Sequence, residues 1–485
     1  MPVQTFEPTM ILAILPEILL VVLAGFILVF DTIWKPEVKR NLGWLTAGGL
    51  LLVMVVSLIF AQPQGSGRLV FGGMIRQDWL SFAFILIFMF AASITALFAM
   101  DMPGVGQKGE FYLLMLVSTL GMSLMASATD IIMLYLAIET TSIPMYILAG
   151  FVTRDDKSTE SGFKYLLFGA AASSIMLYGF SLLYGFSGET NIYQIALSFY
   201  NAQFPKVAVI GSLLLILVGF GFKISAFPFH FWAPDVYEGA PTPIAGFLST
   251  ASKAAGFVVV LRVLVAIFTP SATPDWINLL AIVSVLTMTV GNVLALVQKN
   301  IKRLLAFSSI AHAGYILIGV VALSQLGLTS VVFYLIAYLI TNLAAFGIVM
   351  TFSQVVGSDE ISTYSGLSRR KPWLALAMMV AFLSLAGMPP LAGFVAKIFV
   401  FAAAVKVGLV WLAFVGVLNS IIGLYYYLTV LKYVYLFRSD DESKPLAISR
   451  PYSIALVVLI LGIILIGTLF GPWFSLSTQI ASSLF

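Results

Sequence analysis

Long apolar runs, closed by short polar or Gly/Pro-bearing breaks, follow one another along almost the whole chain. About 20 helical residues cross a hydrocarbon core of about 30 Å. Read on that scale, the pattern predicts fourteen spans, near residues 9–31, 42–61, 78–100, 110–127, 130–152, 162–186, 207–232, 242–268, 276–297, 302–321, 328–354, 373–403, 407–437 and 451–475. The seventh and twelfth are interrupted by proline, at Pro228 and at Pro389–Pro390.

Composition agrees with lipid as the solvent. Of 485 residues, 61% are hydrophobic and 9% charged, about a third of the charge usual in soluble domains. A water-soluble protein of this length could not cover its surface with so few polar groups. The chain has no cysteine, which excludes disulfides, iron–sulfur ligation and thiolate metal sites, and two histidines make a multi-His metal centre unexpected. A net charge of +4 is too small to point to nucleic acid. The first ten residues carry Glu7 and no Lys or Arg, so no cleavable signal is expected and the first run stays in the mature protein.

The basic residues test the span count. Alternate loops, beginning with the first, hold Lys35, Lys39, Arg40, Lys108, Arg154, Lys157, Lys299, Arg369, Arg370, Lys371, Arg438, Lys444 and Arg450, and the fourth of these loops holds none. Lys302 and Arg303 sit at a helix mouth on the same side, whereas the other loops hold only Arg68, Arg76, Lys206 and Lys406. Thirteen against four is a positive-inside bias, which puts the basic loops in the cytoplasm and both termini outside.

The middle of the chain contains a repeat. FPFHFW (227–232) overlies PPLAGF (389–394) at an offset of 162, pairing Pro228 with Pro390 and Trp232 with Phe394. PMYILAG (144–150) overlies AGYILIG (313–319) at 169, and FVVVLR (257–262) overlies YYLTVLK (426–432) at 170. Spans four to eight and nine to thirteen therefore read as two copies of one unit. Because five is odd, the second copy is inverted, the architecture of ion-coupled transporters with sites at broken helices. The expected fold is an all-α polytopic membrane protein of about 14 transmembrane helices with two inverted five-helix repeats and two Pro-broken helices. It divides into an N-terminal three-helix segment (1–109), a first unit (110–268), a second unit (274–437) and a C-terminal loop with the last helix (438–485).

An ionisable group deep in a span costs roughly 2.5–3.5 kcal/mol on insertion scales and needs a reason. Glu139 lies in ETTSIPMYIL (139–148), Lys223 just before Pro228, Lys253 mid-span in SKAAGF (252–257), His312 in SSIAHAGY (308–315), and Lys397 after the double proline. Desolvation disfavours the charged form of either kind of group, so such residues exchange protons readily. Setting Glu139 beside Lys223 would favour both charged forms, and separating them would release a proton. Broken helices free backbone carbonyls that require water or protein partners, which favours a hydrated cavity there. Lys164, near the start of the sixth span, reads either as part of this set or as a side chain reaching the interface; Lys406 and Lys432 read as interfacial, and Glu17 as structural. His230, beside the first break, is open to both readings.

The run APDVYEGAPTP (233–243), with SKAAGF (252–257) and NIKRLLAFSSIAHAGY (300–315), resembles the N subunit of respiratory complex I, an antiporter-like membrane subunit of the proton-pumping NADH:quinone oxidoreductase. The resemblance runs from ILPEILL (14–20) nearly to the C-terminus, and Asp-Val-Tyr-Glu-Gly separates it from the sister L and M subunits and from Mrp-type antiporter subunits. It implies a proton path in which Glu139 pairs with Lys223, Lys164 modulates that pair, Lys253 is central, His312 lies between two half-channels and Lys397 is terminal. Ser308 stands where the repeat puts Glu139, and Gly423 where it puts Lys253, so the two halves are not expected to pump independently. The resemblance further implies no cofactor in this chain, with NADH, FMN, iron–sulfur clusters and quinone handled elsewhere in the complex. It also implies other membrane-arm subunits as partners and a bacterial inner membrane rather than a thylakoid or organellar one. A subunit of a multi-subunit Na⁺/H⁺ antiporter and a non-transporting scaffold are the rival readings.

Overall fold

The computed structural model describes residues 7, 9–65, 67–202, 206–267, 275–439 and 446–484. Lys444 and the junction at 268–274 between the two repeat units lie outside these residues. Among the described residues, thirteen helices are long and apolar enough to cross a membrane. The remaining expected span, the twelfth, is split into Pro372–Ala386 and Ala392–Lys406. Each half is about 22 Å long at 1.5 Å per residue, so only the two together can cross.

The other broken span departs from expectation. Its first half is Lys206–Ile224, and the helix resumes at Trp232 and runs to Gly239, where the sequence reading had ended the span and begun a loop. Asp235 and Glu238 are the polar end of this half-helix. The last expected span is likewise two elements: Arg450–Thr468 crosses, Leu469 leaves helical geometry (φ −110°, ψ 52°), and a separate helix, Phe470–Ser482, follows. A short hairpin (Arg68–Val70 with Ile75–Gln77, Leu69 opposite Arg76) and the helix Ile192–Ala202 were also unforeseen.

Contacts between loops sort the chain into two faces. On one, Arg40 reaches Asp101 at 2.5 Å, the Lys108 ammonium lies over the Phe151 ring, Lys157 pairs with Glu238, and Asn300 bridges to Glu360. These are the loops rich in Lys and Arg. On the other, Asn191 donates to the Gly73 carbonyl, Arg68 donates to the Thr9 carbonyl, and Arg76 donates to the Ser483 carbonyl. The described residues nearest both termini thus share the face opposite the basic loops. Spans four (Gly109–Ser127) and nine (Asp275–Ala295) begin on opposite faces, so the two five-span runs cross in opposite senses. The tenth and eleventh spans, Ile301–Ala322 and Gln325–Val356, are buried along nearly their whole length and form the centre of the bundle.

Candidate functional site

The fifth span, Ile131–Ala149, places Glu139 ninth of its nineteen residues. Ser173 on the sixth span (Asp156–Ser187) donates a hydrogen bond to its carboxylate. Glu139 is half-buried, less enclosed than its apolar context suggested. Lys223 is buried at the end of the first half of the seventh span, and its ammonium donates to Ser142 Oγ at 3.0 Å. Ser142 lies one turn beyond Glu139 on the same helix. The expected direct Glu139–Lys223 ion pair is not among the ion pairs of the described residues; the rotation of the fifth span presents a hydroxyl to the lysine instead. Gly256 of the eighth span lets that helix lie against the lysine stem, since a Cβ there would come 3.1 Å from Lys223 Cγ.

The eighth span, Thr242–Ile267, contains a π-helical turn at Leu248–Ser252, immediately before Lys253. Such turns recur at functional sites because they redirect a side chain and loosen the backbone ladder. Asn342 on the eleventh span donates to Ser249 in this turn at 2.7 Å. Lys253, 1% exposed, donates to Ser309 of the tenth span, to its carbonyl at 2.7 Å and its hydroxyl at 2.5 Å.

At the second break, Gly387 takes φ +87°, and a Cβ there would also press on the Lys397 side chain. Lys397 reaches back across the break to the carbonyls of Leu385 (3.1 Å) and Ala386 (3.0 Å), the last residues of the preceding half-helix. A cation at a helix C-terminus satisfies orphan carbonyls and complements the helix dipole. The same ammonium lies 4.9 Å from the centre of the Tyr315 ring. At the first break Trp232 takes this place, its indole N–H donating to the Phe222 carbonyl at 3.2 Å, and Lys223 is left free to turn toward Ser142.

Between Lys253 and Lys397 stands His312, 3% exposed, with Nδ1 2.7 Å from the Tyr334 hydroxyl and Nε2 3.4 Å from that of Tyr427. Tyr427 is also hydrogen-bonded to Ser308. Beside it, Asn292 donates to the Tyr315 hydroxyl at 2.9 Å and accepts from that of Tyr426 at 3.2 Å.

Lys164 is not with this group. It sits on the basic face, about a third exposed, and pairs with Glu160 and Asp235, each at 2.6 Å. Arg303 bridges Asp235 (2.7 Å) and Glu238 (2.9 Å), and Lys157 takes the other Glu238 oxygen at 2.8 Å. The loop region that lacked any Lys or Arg thus carries two carboxylates that gather cations from the sixth and tenth spans. Burial pushes the Asp235 carboxyl up, but hydrogen bonds from Lys164 and Arg303 outweigh it and hold it below its ordinary value. For Glu238 burial likewise raises, and hydrogen bonds from Lys157 and Arg303 bring it below the ordinary value.

The sequence reading missed one buried pair. Arg262, 2% exposed, forms a bidentate bridge to Asp78 (2.9 and 3.0 Å), and Asp78 also caps the third span through the Ser81 amide. An arginine inside the apolar run FVVVLR was the available signal. Glu17, read as structural, is buried with Oε2 unpartnered among the described residues. His230 stacks between Phe227 and Phe231. Lys406 is exposed, and Lys432 lies over the Phe437 ring. Among the described residues no cluster of three or more His, Cys, Asp or Glu could hold a metal.

Comparison with known proteins gives this geometry a family. The transmembrane family of NADH:quinone oxidoreductase and Mrp antiporter proteins matches residues 128–423, from the fourth-to-fifth loop into the thirteenth span. NADH-quinone oxidoreductase subunit N of Heliobacterium modesticaldum is 40% identical, over 93% of this chain and 94% of that one. A chain of respiratory complex I from Thermus thermophilus superposes with a TM-score of 0.78 at 33% identity, covering 95% of this chain and 98% of its own. A chain of the Mrp complex from Dietzia shares the fold, with a TM-score of 0.86 over 99% of this chain and 98% of that one, at 22% identity. The chain is a membrane protein that belongs to the NADH-quinone oxidoreductase subunit N family, the antiporter-like membrane subunits of complex I.

Proposed function

We propose that this chain conducts protons within the membrane arm of an NADH:quinone oxidoreductase, along a line through Glu139, Lys223, Lys253, His312 and Lys397. The observation that carries the reading is the state of three buried lysines. Lys223, Lys253 and Lys397 bond hydroxyls or carbonyls, and none of them is in an ion pair with a carboxylate among the described residues. An ionisable group held deep in a span is costly and marks a transport path by default, and a scaffold would gain stability by replacing all three. The redox cofactors belong, in this reading, to other subunits, and the chain sits among neighbouring membrane-arm subunits in a bacterial inner membrane. The basic face is cytoplasmic and both termini are outside. We divide the chain functionally at 1–109, 110–268, 274–437 and 438–485.

Lys164 has a different part in this proposal. It latches the second half of the seventh span to the sixth, the helix whose Ser173 bonds Glu139. The test is proton uptake coupled to NADH oxidation by the intact complex in sealed vesicles. Lys253→Ala and Lys397→Ala should each lower it by at least about tenfold, the scale of a lost positioned proton carrier. Wild-type uptake in both would remove the reading, and transport that requires sodium would favour the antiporter alternative.

A further inference from the structure

The repeat leaves the second unit without a carboxylate at the position of Glu139, because Ser308 stands there. The same alignment, at the offset of 170, puts Tyr427 over Phe257. Where the first unit has an acid and a phenyl ring, the second has two hydroxyls, and those hydroxyls are hydrogen-bonded to each other. Both are buried, Ser308 fully and Tyr427 at 1%. Tyr427 continues to His312 Nε2, and His312 Nδ1 to Tyr334. Ser309, which holds the Lys253 ammonium, is the residue next to Ser308.

We propose that Ser308 and Tyr427 form a hydroxyl relay that hands protons to His312 and so joins Lys253 to Lys397, in place of a carboxylate at the position equivalent to Glu139. This rests on the proton-conducting reading above. With the imidazole proton on Nδ1, donating to Tyr334, Nε2 is the acceptor facing Tyr427. A proton leaving the Lys253 ammonium crosses one water to Ser308 Oγ. Ser308 gives its own hydroxyl proton to the Tyr427 oxygen, and Tyr427 gives its own to Nε2. The imidazolium then gives its Nδ1 proton to the Tyr334 oxygen, and Tyr334 gives its own hydroxyl proton, through water, to a neutral Lys397 amine, which becomes the ammonium. Each hydroxyl takes one proton and gives one, Lys253 is left neutral, and no heavy-atom bond or electron count changes. Both phenols stay neutral before and after, and among the described residues no Lys or Arg is hydrogen-bonded to either oxygen.

Tyr427→Phe removes the relay oxygen and keeps the ring that packs on Phe382 and Tyr426. In the intact complex in sealed vesicles, it should slow NADH-coupled proton uptake by about tenfold, the low end for a positioned proton-transfer group. Ser308→Ala should slow it in the same direction. The H₂O/D₂O rate ratio should rise above that of the wild type, because proton hand-over has become the slow step. Tyr364→Phe is the control: it too removes a fully buried tyrosine hydroxyl, from a ring that stacks on Phe352 near the basic face, so uptake and isotope ratio should stay at wild-type values. A slowed Tyr427→Phe with an unchanged isotope ratio would mean a packing role and overturn the relay, as would wild-type uptake. Lys253→Ala, run in parallel, separates the two ideas. If it stops uptake while Tyr427→Phe does not, the relay alone is wrong; if neither variant changes uptake, the conduction reading itself falls.

Discussion

Lys223 donates its hydrogen bond to Ser142 Oγ at 3.0 Å, one turn beyond Glu139 on the same helix, and the carboxylate takes its hydrogen bond from Ser173. The two ionisable groups are therefore poised near one another without being locked. A small rotation of the fifth span, or a change at Ser173, would exchange the lysine's neutral partner for a charged one. Glu139→Ala and Lys223→Ala should each lower coupled proton uptake by at least about tenfold with assembly intact. Lys223→Arg should restore little, since a guanidinium keeps its proton. Ser142→Ala should have a smaller effect in the same direction. Normal uptake in sealed vesicles by both alanine variants would sink the pair.

The shared face of the basic loops gives a topology experiment. Reporter fusions after Gly67 and at the C-terminus should report the outside, and fusions after Arg154 and Arg370 the cytoplasm. Arg68 and Arg76 are not exceptions of consequence: Arg68 bonds Gln77 and Thr9, and Arg76 bonds Tyr193 and Asp78. A C-terminal reporter active in the cytoplasm would mean an odd number of crossings and would contradict the inverted repeat.

The latch on the seventh span has a pH dependence whose sign follows from its carboxylates. Asp235 and Glu238 titrate below their ordinary values in the folded protein. Their contribution is complete above the unfolded value, about 4 for such groups, and is lost only as pH falls through the depressed folded values. Amides of 232–239 should keep constant hydrogen-exchange protection, corrected for intrinsic rate, from pH 8 down to about 5. Asp235→Asn should lower that protection across the whole range, and Lys164→Ala should lower it less, because Arg303 still holds the other oxygen. Protection that changes between pH 6 and 8 would assign the control of this helix to some other group.

Arg262 and Asp78 should behave as structure and not as transport. Removing one partner of a buried bridge leaves an uncompensated charge, typically about 3–5 kcal/mol. Asp78→Ala and Arg262→Ala are expected to reduce the amount of assembled complex and its thermal midpoint. The complex that does assemble should pump at nearly the wild-type ratio of protons to NADH. A stable assembly with a lowered ratio would move this pair onto the proton path.

How far the site could be read from sequence depends on the distance over which each feature is decided. Spans, their alternation and both proline breaks are local, set by run length and by residues such as Pro228 and Pro390. The buried lysines were legible because each stands alone in an apolar run. The partner of Lys223 was not legible, because it depends on how the fifth span is rotated against the seventh, which spacing within either helix does not encode. Trp232–Gly239 was misread for a related reason. Its Asp and Glu are polar in sequence, and only the approach of Lys157, Lys164 and Arg303 from two other spans makes them the end of a helix. Lys397 was half legible: a double proline predicts orphan carbonyls, but that this lysine satisfies them is a matter of tertiary reach.

The asymmetry between the two breaks separates one continuous path from two independent pumps. At the first break the carbonyl is capped by Trp232 and the lysine faces Ser142, close to the carboxylate-bearing turn; at the second, the lysine itself caps the carbonyls. The second unit has Ser308 and Gly423 where a self-sufficient pump would need charge. If protons pass in series, Lys397→Ala should impair uptake per NADH about as much as Lys223→Ala. The double variant should then add little, because two blocks in one line do not sum. If each unit carried its own proton, each single change would remove part of the uptake and the double would remove both parts. The measurement is the proton-to-NADH ratio for the two singles and the double, taken after assembly has been matched by peripheral-arm activity. Losses that add strictly would refute the series path, and they would also require a carboxylate near Ser308, for which no ion pair or hydrogen bond among the described residues gives a candidate.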